Sequence, residues 1–254
     1  MTEAVMMDEL TWPEYQERVR NGIPVFLVVG STEQHGPHLP LGTDVFQGLA
    51  IARAAAERTG GIVAPSLAYG YKSQPKSGGG ESFAGTTSLD AQTLLLQVRD
   101  VLRALLRHGN RRLVLIDGHY ENAAFIAEGI DLALRENGSS GARILVFHWW
   151  ELISQSTIHT IFEGNFPGWA LEHAAVVETS LMAAVNPTLV HWDRLVDDRP
   201  ERRVPYEIFP SPPDVIPRSG VLSPARRASA DHGRRILIEV VEDVVKAMQA
   251  EFSL

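Results

Sequence analysis

Four short apolar runs, separated by longer segments with helical spacing, constrain the fold of this chain more than any other feature. The runs are IPVFLVVG (23–30), GIVAPSL (61–67), RRLVLID (111–117) and ARILVFHW (142–149). Each run is continuously apolar, which is typical of a strand that is buried on both faces of a parallel sheet. We therefore predict an α/β protein with three layers, α/β/α, around a mainly parallel central sheet.

Helical patterns fill the intervals between these runs and continue after the last one. Most of them end at glycine or proline, residues that commonly terminate helices. The predicted helices cover 44–61, 88–109, 121–138, 168–187 and about 230–252. The proline-rich segment 196–228 is predicted to be an irregular, extended connection. No repeat or second domain is visible, so we predict a single domain over residues 1–254.

Composition excludes several classes of partner and chemistry. The net charge of −8 is spread along the chain, whereas a nucleic-acid partner would require a basic stripe. The absence of cysteine excludes thiolate ligands and a thiol nucleophile, so any metal must bind His, Asp or Glu. No apolar run approaches the ~18 residues that span a bilayer, and the start of the chain lacks the apolar core of a secretion signal. We expect a cytoplasmic protein without a membrane partner.

Polar residues follow the first and third apolar runs directly. The stretch GSTEQHGPHLPLGTD places Glu33, His35 and Asp44 after the first run, and DGHYEN places His119 and Glu121 after the third. Ligands bind at the carboxyl ends of parallel strands. Because one residue separates the members of each Glu/His pair, both side chains of a pair point the same way if the backbone is extended. We predict that these residues converge on one site.

Five such ligands are more than one tetrahedral zinc ion requires. They suit a two-metal site in which the carboxylate of Asp44 bridges, and imidazole with carboxylate fits Zn or Mn better than Ca or Mg. The simpler alternative is that each residue is a solvated loop side chain and that Asp44 only caps a helix. The set as a whole, at matching strand ends, favours the metal site.

A further cluster lies in the stretch GWALEH. On a helix over 168–187, Trp169, Glu172 and His173 would share one face, since they are three or four residues apart. We interpret this face as an aromatic wall with a proton-transfer pair. On the same ideal helix Glu178 lies opposite Trp169, so we leave it out of the site. His38 is three residues after His35, so on an extended backbone it points the other way, and we place it outside the ligand set.

These motifs together resemble the creatininase (creatinine amidohydrolase) family. The resemblance rests on GSTEQHGPHLPLGTD, YGYKSQPKSGGGESFAGTTSLD, RRLVLIDGHYEN, FIAEGIDLAL and GWALEHAAVVETSL, and it extends over nearly the whole chain. It implies a parallel-sheet α/β/α domain that assembles as a homohexamer. It also implies two divalent metal ions per chain, with Zn as the bound metal and Mn also able to activate the enzyme.

Carried over by motif, the resemblance implies a role for each site residue. Glu33, Asp44 and His119 would hold one metal. His35, Asp44 and Glu121 would hold the other. The residues implied to contact the substrate are Ser77, Tyr120, Trp150, Trp169 and His173, and those implied in catalysis are His173, Glu121 and Glu172.

The activity implied by the resemblance is the opening of a small cyclic amide, creatinine to creatine, by attack of metal-bound hydroxide on the ring carbonyl. One residue departs from the family pattern: Ala170 stands where creatininases usually carry an Asp after the tryptophan. The alternatives are a family hydrolase acting on another small ring or formamide, for example a keto-inositol, and a non-catalytic oligomeric scaffold.

Overall fold

The computed structural model describes residues 5–137 and 141–253, and a parallel five-stranded sheet forms its centre. The strands lie in the order β1-β3-β2-β4-β5, and every neighbouring pair is parallel. Their bounds are β1 Val5–Met6, β2 Val25–Val29, β3 Ile62–Val63, β4 Arg112–Asp117 and β5 Arg143–His148. The predicted parallel sheet is confirmed, and only the short edge strand β1 was not predicted.

The helices fall between and after these strands. They are α1 Trp12–Arg20, α2 Thr43–Thr59, α3 Ala91–Arg107, α4 Ala123–Glu136, α5 Gln155–Phe162, α6 Val176–Val185 and α7 Ala230–Phe252. Helices α1 and α5 were not predicted. The predicted end of α4 at Gly138 lies outside the described residues, and the helix ends at Glu136.

Both faces of the sheet are covered, which explains the continuous apolar runs. In β2, Phe26 and Val28 pack into the core that includes α2, α6 and α7. The alternate residues Val25 and Leu27 pack into the opposite core with α3 and α4. The three-layer α/β/α arrangement is therefore confirmed.

The predicted helix over 168–187 is wrong. Trp169–Leu171 forms one turn of 3-10 helix, and α6 begins only at Val176. Between them Ala174 has a φ of 53°, a left-handed conformation that interrupts a right-handed helix. The residues of GWALEH therefore do not share a helical face.

The proline-rich segment 196–228 is irregular, as predicted, with a short 3-10 turn at Pro213–Val215. Its later part is not wholly exposed, because Val221 and Leu222 are fully buried. This part of the segment contacts Gln34 and His173 through Gly220 and Leu222. Across the described ranges, no helix is both long enough and apolar enough to span a membrane.

Candidate metal centre

The carboxyl ends of β2 and β4 lie side by side, with Val29 paired to Asp117. Glu33 and His35 follow β2, His119 follows β4, and Asp44 lies in the first turn of α2. A Cβ on Gly118 would come within 2.5 Å of the Asp44 carbonyl oxygen, so glycine permits this close approach. All four side chains are buried at this edge of the sheet.

Glu33, Asp44 and His119 form one group of possible metal ligands. The Nδ1 atom of His119 lies 2.9 Å from Oε1 of Glu33 and 3.2 Å from Oδ2 of Asp44. The structure thus brings together the three residues that the resemblance assigned to one metal.

A second group consists of His35, Asp44 and Glu178. Nε2 of His35 lies 3.0 Å from Oδ1 of Asp44 and 3.6 Å from Oε1 of Glu178. One carboxylate oxygen of Asp44 therefore faces each group, which is the arrangement of a bridging ligand. The placement of Glu178 outside the site was wrong, because that placement assumed a helix starting at residue 168.

Glu121 does not join His35 in this second group. Its Oε2 lies 3.2 Å from Nε2 of His119, on the side of the first group. Its Oε1 accepts hydrogen bonds from the Ser77 hydroxyl and the backbone N–H of Gln74. The structure therefore places Glu121 between the first metal group and the loop that carries Ser77.

Several buried polar atoms in these groups make no hydrogen bond within the described part of the chain. They are Glu33 Oε2, His35 Nε2, Asp44 Oδ2 and Glu121 Oε2. Buried polar atoms are normally satisfied, so a cluster of unsatisfied donors and acceptors needs a partner. Carboxylate oxygen and imidazole nitrogen are ligands suited to Zn or Mn, and the cluster fits a pair of such ions.

The charges of neighbouring side chains in this cluster shift one another's pKa values. Burial opposes protonation of His35, yet the carboxylates of Glu178 and Asp44 raise its pKa well above the usual value. Burial would likewise raise the pKa of Asp44, but His35 and His119 hold it below the usual range. Without metal, the site is thus held together by imidazole–carboxylate attraction.

Glu172 is buried beside these groups, but its carboxylate is directed at backbone. Its Oε1 accepts a hydrogen bond of 2.7 Å from the N–H of Val177, at the start of α6. Burial, and then the nearby charge of Glu178, raise its pKa well above the usual value. Glu172 therefore fixes the first turn of α6, where Glu178 is located.

The remaining predicted residues line a cavity above the two groups. Its empty volume is about 410 Å³, counting the space that is open to solvent. The predicted substrate contacts Ser77, Tyr120, Trp150, Trp169 and His173 all line it, together with Trp149. Tyr120 is 45% exposed and lies at the mouth, with its ring centroid 5.9 Å from that of Trp150.

His173 connects the cavity to the metal groups. Its Nδ1 lies 3.7 Å from Oε1 of Glu33, and its ring centroid is 4.5 Å from that of His35. Its Nε2 lies 2.8 Å from the backbone oxygen of Gln34. This arrangement leaves Nδ1 as the ring atom that faces the cluster.

His38 stays outside the two metal groups, as its parity with His35 suggested. Its Nε2 lies 2.9 Å from the hydroxyl of Thr179, the residue after Glu178. Burial, followed by the charge of His35, lowers its pKa to about 4. His38 is therefore a neutral, buried side chain that ties the first loop to α6.

Sequence reasoning missed two residues that the structure places at this site, Glu178 and Gln34. Glu178 was missed because the start of α6 was assigned too early. Gln34 lies between Glu33 and His35, so the parity argument directed it away from them. The signal that could have indicated Gln34 is its position as an amide between two predicted ligands.

Comparison with known proteins finds similarity over nearly the whole chain. The family model Creatininase, described as creatinine amidohydrolase, matches residues 8–248. Creatinine amidohydrolase from Pseudomonas putida is 47% identical, with 99% of each chain covered. A more distant relative, 3-dehydro-scyllo-inosose hydrolase of Thermotoga maritima, is 26% identical over 98% of this chain and 85% of its own.

The fold agrees equally with solved structures. A crystal structure of creatinine amidohydrolase (creatininase) superposes with a TM-score of 0.94, at 46% sequence identity and 99% coverage of each chain. Related creatininase structures include a variant complexed with creatine, a variant of Zn–Zn type and a Mn form.

Proposed function

Because this chain belongs to the creatininase family, we propose that it is a dinuclear metal-dependent amidohydrolase that opens the ring of creatinine to give creatine. The observation that carries this proposal is the position of Asp44. Its two carboxylate oxygens face two separate groups of imidazole and carboxylate ligands, at the floor of a cavity with tryptophan walls.

The two ions are Zn²⁺ or Mn²⁺, in keeping with the Zn–Zn and Mn forms of the related creatininase. Glu33, Asp44 and His119 would hold one ion, and Glu121 borders it. His35, Asp44 and Glu178 would hold the other. When bound, such ions supply a water that deprotonates near neutral pH and a Lewis acid for the amide carbonyl.

The aromatic residues of the cavity support a small flat ring as the substrate. Trp150 and Trp169 line the cavity, and Tyr120 lies at its mouth. Stacking and cation–π contact with a flat, partly cationic ring such as creatinine are worth ~0.5–2 kcal/mol per contact. The aromatic walls of the cavity therefore suit a compact flat ring.

His173 is the residue that moves the proton. Hydrolysis adds water to the carbonyl carbon, breaks the ring C–N bond and leaves the nitrogen in need of a proton. Nδ1 of His173 faces the cluster and can take a proton from the attacking water and return it to the ring nitrogen. Positioned proton transfer of this kind contributes about 10²–10⁴-fold to a rate.

Ser77 and Glu121 border the same cavity. Burial, and then the charge of Glu33, raise the pKa of Glu121, while His119 opposes that rise. The Ser77 hydroxyl donates to Glu121 and so holds its carboxylate toward the first group. We assign Ser77 to substrate contact and Glu121 to the first metal.

We also propose a homohexamer in the cytoplasm, on the strength of the family resemblance. Sedimentation velocity of the purified protein tests the assembly. A single species of about six chains is expected, and a monomer at micromolar concentration would contradict it.

Turnover of creatinine by the Mn- or Zn-loaded protein tests the activity. Formation of creatine that depends on added metal is expected. A protein that binds two metals per chain but forms no creatine would have another substrate. A protein that binds less than about one metal per chain after loading would be a non-catalytic scaffold.

A further inference from the structure

The side chain of Gln34 is buried at the junction of three loops around His173. Its Nε2 donates hydrogen bonds of 3.0 Å to the carbonyl oxygens of Gly78 and Gly220. Its Oε1 accepts one of 2.9 Å from the N–H of Gly36. The amide therefore joins the loop of Ser77, the proline-rich segment and the loop that carries His35.

These contacts fix which way the amide is turned. Two carbonyl oxygens face the amide nitrogen and one N–H faces the amide oxygen, so the opposite orientation would place like groups together. The amide nitrogen of Gln34 also lies 2.8 Å from Nε2 of His173, but both of its protons are directed at the carbonyl oxygens of Gly78 and Gly220. An unprotonated Nε2 of His173 would face the backbone oxygen of Gln34 at 2.8 Å, acceptor against acceptor, so the geometry favours Nε2 as the nitrogen that carries the proton and donates it to that oxygen.

The tautomer of His173 follows from this assignment. A neutral imidazole protonated at Nε2 has its lone pair at Nδ1. Nδ1 is the atom that faces Glu33 and the metal groups. The ring is thus held with its basic nitrogen toward the reacting groups, as the orienting partner of a catalytic histidine does in other hydrolases.

A second path connects Gln34 to the main chain of His173. The carbonyl oxygen of His173 accepts a hydrogen bond of 3.2 Å from the N–H of Leu222. Leu222 lies two residues after Gly220, whose carbonyl oxygen accepts from the Gln34 amide. His173 is therefore held at its ring by the backbone of Gln34 and at its main chain by the segment that the Gln34 side chain anchors.

The glycines around Gln34 show how closely this amide is enclosed. A Cβ on Gly220 would lie 1.9 Å from Gln34 Oε1, and one on Gly79 would lie 2.6 Å from Gln34 Nε2. Gln34 itself is only 4% exposed. Glycine at both positions leaves the space that the amide fills.

We propose that Gln34 is a positioning residue for the reaction: its backbone oxygen sets the tautomer of His173, and its side-chain amide anchors the segment that holds the His173 main chain. This inference rests on the proposed role of His173 in proton transfer. Gln34 need not touch the substrate, and it acts through His173.

The test compares Gln34→Met, His173→Ala and the double variant, each loaded with metal and assayed on creatinine. Methionine keeps the length of the side chain and removes its polar atoms. Gln92→Met, on the exposed surface of α3, is the matched control. Metal content of each protein is measured before the assay.

We expect Gln34→Met to lower kcat about 10- to 100-fold, the scale of a misplaced catalytic group, with KM changed less than about 3-fold. Its metal content should match that of Gln92→Met. In the His173→Ala background the same change should cost nothing more, because a residue that acts through His173 has no effect once His173 is gone. Activity of Gln34→Met equal to that of Gln92→Met, or a loss that multiplies with the His173→Ala loss, would overturn the proposal.

A second measurement does not depend on turnover or on the folding of Gln34→Met. Nitrogen-15 spectra of the imidazole groups in the zinc-loaded wild-type protein report the tautomer, and the His173 signals are those missing from His173→Ala. Protonation at Nε2 supports the proposal, and protonation at Nδ1 alone overturns it. If the wild-type protein leaves creatinine intact, the proposed function fails, and this spectrum still tests whether the backbone oxygen of Gln34 sets the tautomer of His173.

Discussion

The carboxylate of Glu172 accepts a hydrogen bond of 2.7 Å from the N–H of Val177, one residue before Glu178. The first N–H groups of a helix have no partner within it, and a carboxylate there both satisfies them and suits the helix dipole. A residue expected to take part in catalysis is therefore directed, in the structure, at the helix start that positions a metal ligand.

Glu172→Gln and Glu172→Ala separate these two roles. The amide oxygen of glutamine can still accept the hydrogen bond from Val177, so we expect turnover within about 5-fold of wild type. Alanine removes the cap, and loss of such a cap costs about 0.5–2 kcal/mol of stability. We expect Glu172→Ala to lower both the melting temperature and the metal content, as measured by calorimetry and elemental analysis. Loss of turnover in Glu172→Gln with metals retained would instead assign Glu172 to the chemistry.

Glu178→Gln tests the corrected ligand set. Replacing a charged oxygen ligand by a neutral amide weakens one of the two groups, so we expect about one metal per chain to remain after gel filtration. The remaining ion should be the one held by Glu33, Asp44 and His119. Glu128→Gln, on an exposed face of α4, is the control and should keep two. Two tightly held metals in Glu178→Gln would show that Glu178 is not a ligand.

The lowered pKa of His38 predicts a specific dependence of folding stability on pH. Burial and the charge of His35 lower its pKa to about 4, whereas the unfolded chain binds a proton near pH 6.5. A lowered folded-state pKa means that stability is present above pH 6.5 and is lost as the pH falls toward 4. By linkage this residue alone costs about 2 kcal/mol at pH 5 relative to pH 7.

The measurement is urea unfolding of metal-stripped protein at pH 7 and pH 5. His38→Gln removes the titrating group and should lose about 2 kcal/mol less than wild type between the two pH values. All other titratable groups are common to the two proteins, so the difference isolates His38. Equal losses in the two proteins would show that His38 is already protonated in the folded state.

Ala170 predicts a change in substrate affinity without a change in the metal site. The family resemblance implies an Asp at the position after Trp169, beside the guanidinium-like part of creatinine. In this chain Ala170 borders a neighbouring cavity with Arg202 and Arg203. We expect Ala170→Asp to lower KM for creatinine several-fold, with kcat within about 2-fold. Ala170→Asn has the same shape without the charge, and an equal effect of both substitutions would exclude an electrostatic contact.

Strands β2 to β5 were predictable from sequence because burial on both faces of the sheet leaves a continuous apolar run, and most of the helices were predictable from their helical spacing. The convergence of Glu33, His35, Asp44 and His119 followed from the same logic, since parallel strands end at one edge. Local pattern and sheet topology were sufficient for these residues.

Glu178 and Gln34 depend on information that a local pattern does not contain. The left-handed backbone of Ala174 and the hydrogen bond from Val177 to Glu172 together determine where α6 starts. The sequence pattern shows neither feature, so the helix was predicted to start at residue 168. Gln34 forms its amide contacts with carbonyl groups 44 and 186 residues away along the chain. Such contacts exist only after the loops have been brought together by the fold.

Anomalous diffraction at the zinc edge from crystals of the zinc-loaded protein tests the central claim most directly. Two peaks per chain are predicted, one on each side of the Asp44 carboxylate. The first should be bordered by Glu33 and His119, and the second by His35 and Glu178. A single peak, or a second ion held by Glu121 in place of Glu178, would contradict the dinuclear site described here.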